Sequence, residues 1–257
     1  MWTKRVDRGD APPQRLTFDG PVDIRRPAWS PAGDSVFFVG SEGEMTLVMA
    51  VAADGTGDPV RVFASDTLLF NEVDLSPDGE WFVLRAGANP TSRDLIGFRR
   101  DDLDTPVDLV VTRFDEKAPR VSPDGHWLAY VSNQAGRTEV YVRPFPDTGQ
   151  GVLRITSDGG TEPVWRPDGR AIYYKTNTRM LSVAELDFSD GISVTRRTEL
   201  FDVTGWAEDR NHWSYSVHPT TGQILAIARD AVGHDSLIWV EHFFSAIRSR
   251  FAEPEGR

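Results

Sequence analysis

Three carboxylates stand at matching places along the chain and are the residues best spaced for chemistry: Glu72, Glu116 and Glu162. Each precedes a turn proline (Pro77, Pro123, Pro167) by five to seven residues, with Lys117 directly after Glu116. Two further units carry Arg25-Arg26 ahead of Pro31 and Asn211-His212-Trp213 ahead of Pro219 at the same place. If such units are arranged about an axis, Arg26, Glu72, Glu116, Lys117, Glu162 and His212 ring one opening. Convergent polar groups at a shared mouth make a site for a ligand or partner. The carboxylates are only partly offset by Arg26 and Lys117, so the expected partner is cationic or rich in hydrogen-bond donors. One histidine amid mixed charge is a poor metal set. The plainer alternative is that these groups solvate a channel and hydrogen-bond the strands beside it.

Other chemistries lack their residues. There is no cysteine, which removes disulfides, thiolate catalysis and Cys-ligated zinc. The five histidines (His126, His212, His218, His234, His242) include no HExxH pair. No Gly-rich phosphate loop with a following Lys, no HRD, no DFG and no G-x-S-x-G occurs. The acidic clusters Asp101-Asp102-Asp104 and Asp187/Asp190 do not fit a calcium loop. The sequence therefore assigns no catalytic residue, no metal and no cofactor. A net charge of −11 argues against a nucleic-acid partner. No apolar run reaches the ~18 residues needed to span a bilayer, so insertion of this chain in a membrane is not expected. The opening MWTKRVDRGDAPPQ has no apolar core of a secretory signal, which gives a cytoplasmic expectation for the chain as written.

The elements that must position these residues are legible as a repeat. WSPAGDSVFFV from Trp29, LSPDGEWFVL from Leu75, VSPDGHWLAYV from Val121, WRPDGRAIYYK from Trp165 and VHPTTGQILAIA from Val217 are variants of one phrase. The turn prolines Pro31, Pro77, Pro123, Pro167 and Pro219 are 46, 46, 44 and 52 residues apart. A period in the mid-forties is that of a four-stranded propeller blade. Within the phrase Pro presets a β-turn, and Gly33, Gly79, Gly125, Gly169 and Gly222 take its left-handed position. Gly125→Val is accordingly expected to disturb the fold more than Gly55→Val. The strands after each turn are nearly continuous apolar runs, as suits burial on both faces. A β-rich third strand and a more polar fourth follow in most units.

The fold expected is an all-β propeller of four-stranded antiparallel blades, with five full repeats, a partial one and a short C-terminal helix. One domain over 1–257 divides into a partial blade at 1–20, repeats at 21–70, 71–115, 116–159, 160–205 and 206–242, and a tail at 243–257. Gln14–Phe18 either completes the last unit beside Leu237–His242, giving five blades, or belongs to a sixth blade lacking its first half. Trp29 and Trp165 are expected to pack between blades. Trp206 and Trp213 fall in the long 52-residue interval, where exposed aromatics on an inserted loop suit contact with a partner.

The repeated phrase resembles the WD-like repeats of the TolB-like propeller family. AYVSNQAGRTEVYVRPFP (Ala129–Pro146) and ITSDGGTEPVWRPDGRAIYYKTNTRMLSVAEL (Ile155–Leu186) are similar to the propeller carboxy-terminal to the kinase domain of many bacterial serine/threonine kinases. LIWVEHFFSAIRSRF resembles that domain's closing strand and helix. The resemblance implies a non-catalytic module that binds a protein, peptide or ligand, and an extracytoplasmic sensor if the parent kinase spans a membrane. Neither kinase nor spanning helix is in this sequence. The alternative function is a propeller enzyme, a hydrolase or lyase acting at the axial mouth.

Overall fold

The computed structural model describes residues 1–3, 12–17, 24–89, 92–149, 151–207, 213–229 and 235–240. Among them the chain is entirely β-structure, in successive antiparallel sheets built from consecutive strands. The first sheet comprises Arg25–Trp29, Ser35–Glu42, Met45–Ala52 and Val60–Ser65. The second comprises Glu72–Leu75, Trp81–Asn89, Ser92–Arg99 and Asp102–Val110. The third comprises Glu116–Val121, Trp127–Ser132, Glu139–Pro144 and Leu153–Arg154. The fourth comprises Thr161–Trp165, Ala171–Lys175, Met180–Asp187 and Ser193–Asp202. Tyr215–Val217, Ile224–Arg229 and Asp235–Val240 form a three-stranded fifth sheet. These are the blades of a β-propeller. The expected C-terminal helix at 243–251 lies outside the described residues.

Each turn is closed by its own side chains. Ser76 Oγ accepts the N–H of Trp81 at 3.0 Å and donates to Asp78, whose carboxylate accepts the N–H of Glu80 at 3.0 Å. That bond from Ser76 holds the Asp78 carboxyl below its ordinary pKa. Ser122, Asp124 and Trp127 repeat the pattern in the third sheet. The five turn glycines have φ between +70° and +75°, where a side chain is strained. The contrast drawn between Gly125 and Gly55 does not hold. Gly55 also has φ +73°, and a Cβ there would collide with the side chain of Gln14.

The apolar runs alternate between two neighbours, because successive strand residues face opposite ways. Phe37 and Val39 pack towards the second sheet with Phe70, Val73, Phe82 and Phe98, whereas Val36 and Phe38 pack with Leu16 and Val51. Val121, Leu128 and Tyr130 meet the second sheet, and Ala129 and Val131 meet Trp165, Ile172 and Tyr174 of the fourth. The core is thus a series of sheet-to-sheet interfaces. Trp2–Thr3 pairs with Gln14–Arg15, and this short ribbon covers the outer face of the first sheet. Among the described residues Gln14–Arg15 does not join Asp235–Val240, the last strand of its sheet.

Trp165 packs between sheets as expected, and its Nε1 donates to the Arg120 carbonyl at 3.0 Å. Trp29 does not: it is 56% exposed. Its place in the repeat matches that of Trp165, but among the described residues only the two-stranded ribbon packs on that side of the first sheet.

Candidate functional site

The innermost strands deliver the charged residues through a shared irregularity. Register shifts fall between Arg25 and Ala28, between Lys117 and Arg120, and between Thr161 and Val164. Within these bulges Arg26, Ala118 and Glu162 have φ of +42°, +58° and +51°, a conformation non-glycine residues seldom adopt. All three stand five residues before a turn proline. A bulge takes amide groups out of the ladder, so they need acceptors from elsewhere.

Carboxylates of the preceding sheet supply them. Glu72 Oε2 accepts the Ala118 N–H at 2.9 Å, and Asp74 Oδ2 accepts the Val121 N–H at 3.0 Å. Glu162 Oε2 accepts the Ser214 N–H at 3.0 Å and its hydroxyl at 2.6 Å. Cations complete each pairing. Arg26 lies 3.1 Å from Glu72 Oε2, Arg120 lies 3.1 Å from Asp74, and Lys175 Nζ lies 3.0 Å from Glu162 Oε1. Arg85 joins Glu72 at 3.5 Å, Asp115 at 2.7 Å and the Glu116 carbonyl at 3.0 Å. Arg26 feels the charges of Glu72, Arg85, Arg120 and Glu162, which come from the next three sheets. The inner strands therefore bring Arg26, Glu72 and Glu162 into one electrostatic neighbourhood.

The expected negative rim is absent from it. Glu72 and Glu116 are 2% and 0% exposed, and Glu162 is tied to Lys175 and Ser214. For Glu72 and Glu162 the correction has a physical cause, since a carboxylate in a sheet interface is held there by ion pairs and hydrogen bonds. Lys117 is half-buried and, among the described residues, makes no ion pair. His212 lies outside the described residues. Trp206 is no loop aromatic: at 7% exposure it packs with Phe201 and Tyr215 in the interface of the fourth and fifth sheets. Trp213 is half-buried, with the Arg120 guanidinium 4.0 Å over its ring.

Sequence reasoning missed Asp74, Arg120 and Lys175. Asp74 and Arg120 both stand three residues before a turn proline, so alignment on the prolines held the signal. Lys175 ends the buried strand Ala171–Lys175 and is itself 6% exposed, which no local pattern announces.

Glu116 differs from the other two glutamates. Its Oε1 accepts from Thr112 and Ser132 at 2.9 Å each, while Oε2 is buried without a partner. Burial pushes its carboxyl above the ordinary 4.5. A raised acid contributes stability that is full below about 4.5 and is lost as pH rises through the folded value. Glu116→Gln removes that loss while keeping the acceptor. The variant is expected to match or exceed the wild type in melting temperature at pH 7, with the difference vanishing near pH 4. A variant clearly less stable at pH 7 overturns this assignment.

Among the described residues no group of three His, Asp or Glu could hold a metal ion, and no helix is long and apolar enough to cross a membrane. Among the described residues the architecture is that of a β-propeller whose successive sheets are joined by apolar packing. Between the first and second, second and third, and fourth and fifth, charged groups of the inner strands join them as well.

Solved propellers with the same fold include TolB from Acinetobacter baumannii, at 18% identity and a TM-score of 0.66. The match covers 90% of this chain and 55% of that one, so this chain spans little more than half of that protein's length. An oligogalacturonate lyase in complex with manganese matches at 14% identity and a TM-score of 0.62, over 91% of this chain and 70% of that one. A chain of a nidogen/laminin complex matches at 10% identity and a TM-score of 0.59, over 90% and 85%. No family model matches the sequence. No curated protein matches it either.

Proposed function

We propose that this propeller is a recognition module for a protein or peptide. The observation that carries the reading is the commitment of Glu72 and Glu162 to backbone amides and cations of neighbouring sheets. Charges used in this way hold blades together and are not available as acid, base or metal ligand. The nidogen/laminin complex is an instance of this fold within a protein assembly. A cationic partner remains the better match on charge, but for the net −11 of the chain, not for the three glutamates. Among the predicted axial and loop residues Lys117 and Trp213 are half-buried, as are Arg26 and Glu162, which are tied to Glu72 and to Lys175 and Ser214 respectively. The stretches Ala129–Pro146 and Ile155–Leu186 support an origin beside a bacterial serine/threonine kinase, which an in-frame kinase domain upstream of Met1 would test.

An enzymatic reading has one observation in its favour, the perturbed carboxyl of Glu116. It is fully buried, which keeps it from a substrate in this arrangement.

The test is a peptide array of basic, neutral and acidic sequences probed with the wild type, with Trp213→Ala and with Lys117→Ala. Binding that favours basic peptides, weakens with salt, is lost in Trp213→Ala and is kept or strengthened in Lys117→Ala supports the reading. Turnover of a glycan or ester panel that disappears in Glu116→Gln replaces it with the enzymatic one.

A further inference from the structure

A cleft of about 380 Å³ lies between the first and second sheets, within the size range of small-ligand sites. Arg25 and Arg93 line one part, while Val39, Leu69 and Phe70 supply apolar wall. Glu44, exposed at the tip of the first sheet's hairpin, is the acidic group on its lining. We propose that this cleft binds a small carboxylic acid with an apolar body, its carboxylate held by Arg93 beside Arg25.

Arg93 carries the argument. Its Nε is buried and has no hydrogen-bond partner, and among the described residues no carboxylate lies within ion-pair distance of it. The acids whose charge reaches it, Asp115 and Glu72, are already taken: Asp115 pairs with Arg85, and Glu72 with Arg26 and Arg85. The guanidinium groups of Arg85 and Arg25 add positive potential around it, and burial with that repulsion holds its pKa below the ordinary value. Buried donors are nearly always satisfied, and this one belongs to a half-buried guanidinium with no counter-ion among the described residues. In a chain of net charge −11, such a cation beside a half-apolar cleft is a local reversal of sign. A carboxylate supplies the missing planar acceptor pair, and the apolar wall favours an acid with a hydrocarbon body over a bare inorganic anion. The inference is independent of what the inner strands recognise.

The probe is 3-phenylpropionate, titrated calorimetrically into the full chain, with the neutral 3-phenylpropanamide and inorganic phosphate as comparisons. The acid is expected to bind at least about tenfold more tightly than the amide, the effect of one charge-assisted hydrogen bond, and more weakly at high salt. Arg93→Met should abolish that preference while leaving the melting temperature equal or higher, since an unpaired charge is removed. The proposal is overturned if acid and amide bind alike, if phosphate matches the acid, if Arg93→Met keeps the preference, or if the acid does not bind at millimolar concentration. Should Arg93→Met fail to fold, the acid-to-amide ratio of the wild type decides alone.

Discussion

Glu72→Ala lowers the stability of the propeller by about 3–5 kcal/mol, the usual cost of removing one partner from a buried ion pair. Three groups lose an acceptor at once: the Arg26 and Arg85 guanidiniums, and the Ala118 amide, which the bulge has taken out of its own ladder. Urea denaturation of wild type, Glu72→Ala and Glu72→Gln measures the effect. Glu72→Gln should fall between them, because its amide oxygen still serves Ala118 while its NH2 faces the arginines. Midpoints equal to the wild type for both variants would show that the carboxylate is not the tie described. The three glutamates are thus unequal, with Glu72 and Glu162 structural charges and Glu116 replaceable by its amide. A variant with Glu72, Glu116 and Glu162 all replaced by glutamine is expected to be destabilised through the first and the last.

Trp206→Ala costs about 3–5 kcal/mol as a large-to-small substitution in a packed interface. The indole packs against Phe201 and Tyr215 between the fourth and fifth sheets, and its N–H backbone group closes a turn onto Val203 at 2.9 Å. Trp213→Ala, made beside it, should cost markedly less, because Trp213 is half-buried and exchanges its contact with Arg120 for water. Equal losses in the two variants, read from melting curves, would place both residues in the same environment and sink the distinction.

The turns and second strands were legible because their causes are local. Pro31, Pro77, Pro123 and Pro167 preset their turns, the glycines two residues on take positive φ, and the apolar runs follow within a few residues. The inner strands were legible in position but not in role. Whether Glu72 faces an opening or a neighbouring amide depends on a bulge at Ala118, some 46 residues away, which no property of either segment announces. Trp206 misled for a related reason. Extra length between two repeats suggests a loop over the surface, yet that length returns Trp206 to the core, bridging to Ala228. Trp29 and Trp165 share a repeat position and differ only in what stands opposite.

The separation of the inter-blade ties along the chain bears on how the protein is made. Glu72 reaches Ala118 across 46 residues, Asp74 reaches Val121 across 47, Trp165 reaches Arg120 across 45, and Glu162 reaches Ser214 across 52. Each tie spans about one repeat, as in linear arrays whose units contact their nearest neighbours. During translation at about 5–20 residues per second, a newly emerged sheet therefore waits roughly 2–10 seconds for the next to complete its charges. A junction between two sheets can thus be sealed only after the later of the two has emerged.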